Sequence, residues 1–374
     1  MGAFDLEKIN EKSVNHEIIE GIINGMYDWV RVIDRNDRII YTNKAMADGL
    51  KNNPVGMRCF EAIGKDSPCP NCVLRKAVFD GVPHVKEEII GDRIFSVMSS
   101  PIKENGEIIA VVEVLRDVTS MKQLQHSLVL QNKKLQDDLN LAKKLQCSLL
   151  PKHLPEDKIN FSFVYKPCEA LGGDFLDIFN IDGDHIGIYI ADVSGHGVSA
   201  SMLTVFLRSS IDKKTLSPSL ALNKLYEEFN KNNFDQDLYI TLFYAIINLK
   251  DYTLTYTNAG HSVCPFVFNK NRFEILRTPG TPISNWIDAP EYTEGKLQLL
   301  HGDRLFFYTD GIIELKNEKK EQFGEERLLD ILLDNTSEPA VILNTIIDRA
   351  VGFAQGPAYE GIPDDITIAL IEIK

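Results

Sequence analysis

Aspartates stand at the ends of apolar segments in the C-terminal part of the chain, each beside a glycine or a turn. They are Asp174, Asp177, Asp192, Asp310, Asp364 and Asp365. A carboxylate just outside a β-strand is held rigidly, and an adjacent glycine lets backbone carbonyls come close. Several carboxylates brought together repel one another unless a hard divalent cation offsets their charge. Because no Cys/His set with zinc spacing accompanies them, the pattern indicates an oxygen-ligand site for Mg²⁺ or Mn²⁺.

Two such ions about 4 Å apart could clamp a phosphoryl group and lower the pKa of a bridging water. Any one of these aspartates is explained by a cap or a turn, but the set together indicates a site. His196 and His261 could act as general acids or metal ligands, although histidines beside glycine more often have structural roles. Ser194 is predicted to be a helix N-cap.

The motifs around the aspartates resemble those of the stage II sporulation E-type serine phosphatases, the bacterial branch of the metal-dependent PPM (protein phosphatase 2C-like) superfamily. They occur in the family's order, at residues 172–177, 192–197, 258–261, 308–314, 323–328 and 364–367. The resemblance implies an α-β-β-α sandwich with two Mn²⁺ or Mg²⁺ ions in a cleft between the sheets, where a metal-activated water attacks phosphorus.

By motif position, the resemblance assigns Asp174 and Asp192 to the metal pair, with the Val193 carbonyl as a further ligand. Asp310 and Asp364 would complete the second ion's shell. Asp177 and Asp365 could be ligands or could support the ligands from behind.

The elements that must position these residues can be read from the apolar pattern of the third region, residues 155–374. Strands are predicted at 161–165, 175–179, 185–191, 239–248, 253–258, 264–268, 273–276, 296–300, 304–308 and 366–373. Helices are predicted at 198–211, 219–231, 325–333 and 339–354. Turn pairs such as Lys250-Asp251 make antiparallel hairpins, so we expect stacked sheets covered by helices.

The first region, residues 15–119, reads as a small α+β domain with hairpins at 29–41 and 93–114. Its segments 29–33, 34–37, 40–45 and 116–119 resemble a PAS sensory domain, whose ligand the sequence does not give. Cys59, Cys69 and Cys72 are grouped within it. They could be structural, form a redox disulfide, or bind a metal with His84 as the fourth ligand.

Between these regions, residues 120–152 contain neither glycine nor proline until Pro151 and show a heptad pattern. Leu128, Leu135, Ala142 and Leu149 recur at sevens. Polar residues in the second seam position favour a parallel helical coiled-coil pair, and hence a homodimer, over one helix packed on its own chain.

Composition sets limits on the function. The 374 residues carry 54 acids and 40 bases, a net charge of −14, which argues against a broad nucleic-acid footprint. No apolar run approaches the roughly 18 residues of a membrane span, and no export signal is evident, so we expect a cytoplasmic protein without membrane contact.

The sequence therefore predicts a PAS-regulated, metal-dependent serine/threonine phosphatase. By resemblance, its substrate would be a phosphorylated anti-sigma-factor antagonist, a STAS-like protein, in a partner-switching pathway. The alternative is a catalytically inactive phosphatase fold that only binds a partner.

Overall fold

The computed structural model describes residues 11–151, 158–333, 337–354 and 361–374. The chain forms two compact units, residues 1–134 and 135–374, which divide within one long helix. No helix of the described residues is long and apolar enough to cross a membrane.

The N-terminal unit is built on one antiparallel sheet of five strands in the order β2-β1-β5-β4-β3. The strands are β1 (Trp29–Asp34), β2 (Ile39–Thr42), β3 (His84–Ile90), β4 (Arg93–Glu104) and β5 (Glu107–Asp117). Its helices are α1 (Glu11–Asn24), α2 (Lys44–Leu50) and α3 (Val73–Asp80). The hairpins β1–β2 and β4–β5 confirm the two predicted ones. Helix α1 was not expected from the sequence.

Helix α4 (Thr119–Leu149) crosses the division between the units. It ends before Pro151, whose ring lacks the backbone N–H that a helix needs. The predicted boundaries at residues 152 and 155 lie outside the described residues. Leu128 and Leu135 of the predicted seam are 51% and 59% exposed, so they are not covered within this single chain.

The C-terminal unit contains two sheets of five strands each. The first has the order β13-β10-β9-β8-β7, with β7 (Asp174–Asn180), β8 (His185–Val193), β9 (Ile240–Asn248), β10 (Thr253–Ala259) and β13 (Gly295–Gln298). The second has the order β12-β11-β14-β15-β6, with β6 (Ile159–Lys166), β11 (Phe266–Asn269), β12 (Arg272–Ile275), β14 (Arg304–Tyr308) and β15 (Ile366–Ile373). Helices α5 (Gly197–Ser210), α6 (Pro218–Lys231), α7 (Gly324–Leu333) and α8 (Pro339–Ala354) complete the unit.

Three apolar layers hold these elements together. Inward-facing residues of the two sheets, such as Ile188 and Phe307, pack against each other. The outer face of the first sheet packs on α5 and α6, and that of the second packs on α7 and α8. The architecture is therefore the predicted α-β-β-α sandwich. The hairpins β9–β10 and β11–β12 are also confirmed, but β10 and β11 belong to different sheets although they follow each other in the chain.

Candidate active site

Asp174 and Asp192 are direct partners across the antiparallel pair β7–β8. Alternation along the strand places Asp174 on the same face as Leu176 and Ile178, which belong to the apolar layer between the sheets. Both carboxylates therefore stand where that layer ends.

Two threonines of the second sheet hold the Asp174 carboxylate. Thr309 and Thr367 each donate a hydroxyl hydrogen bond to Asp174 Oδ2 at 2.7 Å. The threonines also bond to each other, because the Thr367 N–H donates to Thr309 Oγ1 at 3.0 Å. Asp174, 2% exposed, is thus fixed through one carboxylate oxygen from across the sandwich.

Asp310 and Asp364 lie next to β14 and β15, which are neighbouring strands of the second sheet. Asp310 begins a short 3₁₀ turn after β14, and Asp364 stands two residues before β15. The two segments approach so closely that a Cβ at Gly311 would lie 1.9 Å from the Asp365 carbonyl oxygen. Only glycine fits there. The hydroxyl of Ser262 donates to Asp310 Oδ2 at 2.9 Å and orients that carboxylate.

The Asp365 carboxylate accepts hydrogen bonds from backbone N–H groups. Its Oδ1 accepts from the backbone N–H of Cys168 at 2.7 Å, and its Oδ2 accepts from the N–H groups of Gly173 and Asp174. Both oxygens are therefore occupied by the loop that leads into β7. Asp365 anchors this loop, and the geometry favours a supporting role over a metal ligand.

Asp177 does not join the cluster. Three residues after Asp174 it points to the opposite face of the sheet, where its carboxylate pairs with Lys213 and lies 3.8 Å from Arg208. The Val193 carbonyl, by contrast, lies near the cluster, because a Cβ at Gly173 would be 3.0 Å from it.

The electrostatics show how closely the acids converge. Burial raises the pKa of Asp192 to about 7, and the charges of three neighbouring carboxylates add to the rise. Those neighbours are Asp310, Asp364 and Asp365. Burial and the charge of Asp192 likewise raise the pKa of Asp174 well above its usual range. Burial also raises the pKa of Asp364. A bound cation would offset the repulsion between these carboxylates and stabilise their ionised forms.

The donor set fits such a cation in its chemistry. Buried carboxylate oxygens and a backbone carbonyl are the ligands that Mg²⁺ and Mn²⁺ prefer. Across the described ranges, no group of three or more Asp, Glu, His or Cys side chains is arranged to hold a metal ion, so the Val193 carbonyl and waters would have to complete the shell of an ion held by two carboxylates.

The two histidines are each paired with neighbouring groups. His261 is buried. Its backbone N–H donates to Asn258 Oδ1 at 2.7 Å, and its ring Nε2 lies 3.0 Å from the Tyr308 carbonyl oxygen. Burial lowers its pKa, which favours the neutral ring. His196 is the exposed N-cap residue of α5 and pairs with Glu169 at 2.9 Å.

The N-cap prediction for Ser194 is wrong. The Ser194 hydroxyl instead donates to the Asp237 carbonyl at 3.0 Å and accepts from the Tyr239 N–H at 2.9 Å. Gly195 adopts a left-handed conformation after Ser194, and α5 begins only at Gly197, so that His196 is the N-cap residue.

Gln146, in the last turn of α4, reaches the loop before Asp174 and was missed by the sequence analysis. Its Nε2 donates to the Gly172 carbonyl at 2.7 Å, and its Oε1 accepts from the Gly172 N–H at 3.2 Å. The side chain also lies 3.3 Å from Thr204 Oγ1 of α5. The end of α4 is thereby bonded to the backbone two residues from a cluster carboxylate.

The three cysteines of the N-terminal unit line one small internal cavity. All are free; Cys59 is buried, and burial raises its pKa to about 11. The Lys65 ammonium lies 3.6 Å from Cys69 Sγ. His84, the expected fourth zinc ligand, instead pairs with Asp80 at 2.7 Å. The structure therefore does not assemble the zinc site, and the redox role remains a prediction.

The C-terminal sandwich, with an acidic cluster at the end of the layer between its sheets, has the fold of PP2C domains, and the N-terminal unit has a PAS fold. Residues 182–374, about half of the chain, match the profile of the Stage II sporulation protein E (SpoIIE) family, and residues 23–123 match the PAS fold. The chain belongs to the SpoIIE family.

Relatives with named activities agree with this assignment. Phosphoserine phosphatase RsbP of Bacillus subtilis is 25% identical over 63% of this chain and 58% of its own length. Phosphoserine phosphatase RsbU of the same organism is 28% identical over 49% of this chain and 56% of its own length. Protein IcfG of Synechocystis sp. is 26% identical over 63% of this chain and 41% of its own length. The chain thus spans about half the length of the relatives it matches.

A solved structure agrees on the fold. The SiaA-PP2C domain of Pseudomonas aeruginosa superposes with a TM-score of 0.58 and 20% identity, covering 65% of this chain and 99% of that domain.

Proposed function

We propose that this protein is a metal-dependent serine/threonine phosphatase whose Asp174, Asp192, Asp310 and Asp364, with the Val193 carbonyl, hold two Mn²⁺ or Mg²⁺ ions. The observation that carries the proposal is the convergence of the carboxylates: Asp174 and Asp192 are cross-strand partners, and Asp174 is bonded to Thr309 and Thr367, the neighbours of the segments that carry Asp310 and Asp364. The raised pKa values of Asp174, Asp192 and Asp364 agree with it. The proposed substrate is a phosphorylated anti-sigma-factor antagonist, and the names of the two phosphoserine phosphatase relatives support the phosphoserine part.

When bound, the ions would supply an activated water and positive charge against the phosphoryl group. The chain's own residues position the ligands. Thr309 and Thr367 fix one oxygen of Asp174, and Ser262 orients Asp310. Asp365 holds the backbone of the loop that enters β7.

We also propose a three-part regulation that follows the predicted division at 15–119, 120–152 and 155–374. Helix α4 would pair with a second copy through its exposed apolar residues and carry a signal from the PAS unit to Gln146. Loss of the two Gln146 bonds would release Gly172 and shift Asp174, which is the coupling we expect.

Phosphate release with Mn²⁺ from a phosphoserine protein tests the catalytic part. Asp310→Asn should abolish the release, whereas Asp330→Asn, an exposed aspartate of α7, should leave it intact. Absence of release by the unmodified chain with either ion would favour the alternative, a non-catalytic binding module.

Sedimentation of the full chain tests the dimer. Leu128→Asp with Leu135→Asp should convert a dimer to a monomer, because both place charge in the seam. Lys133→Asp, a change outside the seam on the same helix, is the matched control. A seam variant that sediments like the parent would contradict the pairing.

A further inference from the structure

A cavity of the C-terminal unit lies next to the carboxylate cluster, and Ser262 contacts both the cluster and the cavity. The Ser262 hydroxyl donates to Asp310, and the residue also lines a cavity of about 170 Å³. The cavity wall is about half apolar, and its apolar residues include Phe266 and Leu328, which are buried, and Phe273 and Ile275, which are exposed. The cavity is large enough for one apolar side chain.

One cation stands at this cavity. Arg277 is exposed, and no ion pair joins it to any other described side chain. Glu325 is the acid among the lining residues, but its carboxylate accepts the Tyr308 hydroxyl hydrogen bond at 2.8 Å. The guanidinium therefore has its five N–H donors available to a partner.

The backbone that carries Arg277 is held in place. The Leu276 N–H donates to the Pro265 carbonyl at 2.8 Å. Further along, a Cβ at Gly280 would lie 1.7 Å from the Asn258 carbonyl oxygen, so this segment packs directly against the end of β10. Arg277 is thus fixed at its base while its side chain remains free to bind.

Strand β12 supplies the remaining side of the cavity. It is an edge strand, paired with β11 alone among the strands of its sheet. Phe273 and Ile275 lie on one face of it, and they are 41% and 42% exposed. An edge strand with unpaired backbone groups can accept an extended peptide, and a neighbouring pocket can then select its side chains.

We propose that this cavity, β12 and Arg277 form the docking site for the substrate segment that flanks the phosphorylated residue. The segment would run extended along β12, place an apolar side chain in the cavity and pair an acidic side chain with Arg277. Local charge complementarity supports an acidic side chain at this position, because Arg277 is a cavity-lining cation that has no ion pair with any described side chain, whereas the chain as a whole carries a net charge of −14. The inference rests on the proposed function for the identity of the segment.

Peptide binding tests the site without turnover. Two fluorescent phosphoserine peptides, both with leucine near the phosphoserine, would differ only in carrying glutamate or lysine at the flanking positions. Their dissociation constants for the full chain are measured by anisotropy with EDTA present. Arg277→Glu should shift the ratio of the two constants toward the lysine peptide by about tenfold or more, since it reverses an attraction and a repulsion together.

Lys270→Glu makes the same charge change in the turn between β11 and β12, away from the cavity, and should move the ratio by less than about twofold. Equal shifts for the two variants, or no binding of either peptide, would overturn the docking site. Phosphate release with Mn²⁺ is measured separately on the same peptides. Binding that depends on Arg277 without any release would leave the docking site standing and refute the proposed catalysis.

Discussion

A buried ion pair in the PAS unit allows a quantitative test. Arg31 on β1 and Glu113 on β5 are direct cross-strand neighbours, and their side chains are 6% and 4% exposed. Arg31 Nε donates to Glu113 Oε2 at 2.8 Å, while the Ser99 hydroxyl donates to the other carboxylate oxygen. The perturbation we consider is Glu113→Gln, which removes the charge and nearly keeps the shape.

The expected loss of unfolding free energy depends on the interactions that Arg31 retains in the Glu113→Gln variant. Its Nη1 still donates to the Cys59 carbonyl at 2.8 Å, but its charge is left buried and unpaired. Breaking a buried pair in this way costs about 3–5 kcal/mol, and the retained bond argues for the lower end, about 3 kcal/mol. Replacing both residues, Arg31→Met with Glu113→Leu, should recover much of that loss, because no unpaired charge remains.

The same unit provides a matched control. Arg35 and Glu107 also pair across the unit, at 3.4 Å, but their side chains are 58% and 79% exposed. Glu107→Gln should therefore change the free energy of unfolding by less than about 1 kcal/mol.

Urea unfolding followed by Trp29 fluorescence measures both variants. Trp29 is buried in the core of the PAS unit, and a Trp286→Phe background removes the other tryptophan. If Glu113→Gln and Glu107→Gln cost the same within error, the reasoning from buried charge is refuted.

Three further predictions concern the phosphatase unit. Gln146→Ala should lower Mn²⁺-dependent phosphate release and the midpoint of thermal unfolding, because the backbone N–H and carbonyl of Gly172 both lose their hydrogen-bond partner. Lys144 is an exposed residue of the same helix, and Lys144→Ala should change neither quantity. Without metal, thermal stability should fall as pH rises from 5 to 8, because the pKa of Asp192 is raised to about 7 in the folded protein and ionisation of this carboxyl therefore favours the unfolded chain. Mn²⁺ should reduce this dependence of the thermal midpoint on pH, and a midpoint that does not change with pH in the absence of metal would contradict the prediction. Gly311→Ala should prevent soluble folding or abolish release, because the added Cβ meets a carbonyl at 1.9 Å, and wild-type activity would show that the backbones are not so close.

Local pattern was sufficient to predict most elements of the phosphatase unit. The apolar runs after Asp174 and before Asp310 and the turn at Lys250-Asp251 depend on neighbouring residues alone, and the strands formed where they were expected. The sandwich followed from the amount of antiparallel strand and the helix pairs, and from the family resemblance.

The contacts that complete the site could not be predicted, because they depend on how distant strands pair. Thr309 and Thr367 stood inside the quoted motifs, yet their bonds to Asp174 span 135 and 193 residues. The distinct role of Asp365 likewise depends on the loop that folds against it. The N-cap prediction for Ser194 was wrong for a local reason, because the left-handed Gly195 follows it and α5 begins only at Gly197, with His196 as its N-cap residue.

The bonds from Thr309 and Thr367 to Asp174 have a consequence for the order of folding. Closing loops of this length is slow compared with forming the hairpins of either sheet, because the entropy cost comes before any contact forms. The carboxylate cluster can therefore exist only after both sheets have formed and docked. During refolding, the recovery of phosphate release should lag behind the recovery of helical circular dichroism, and a partly folded chain should be inactive even when most of its secondary structure is present.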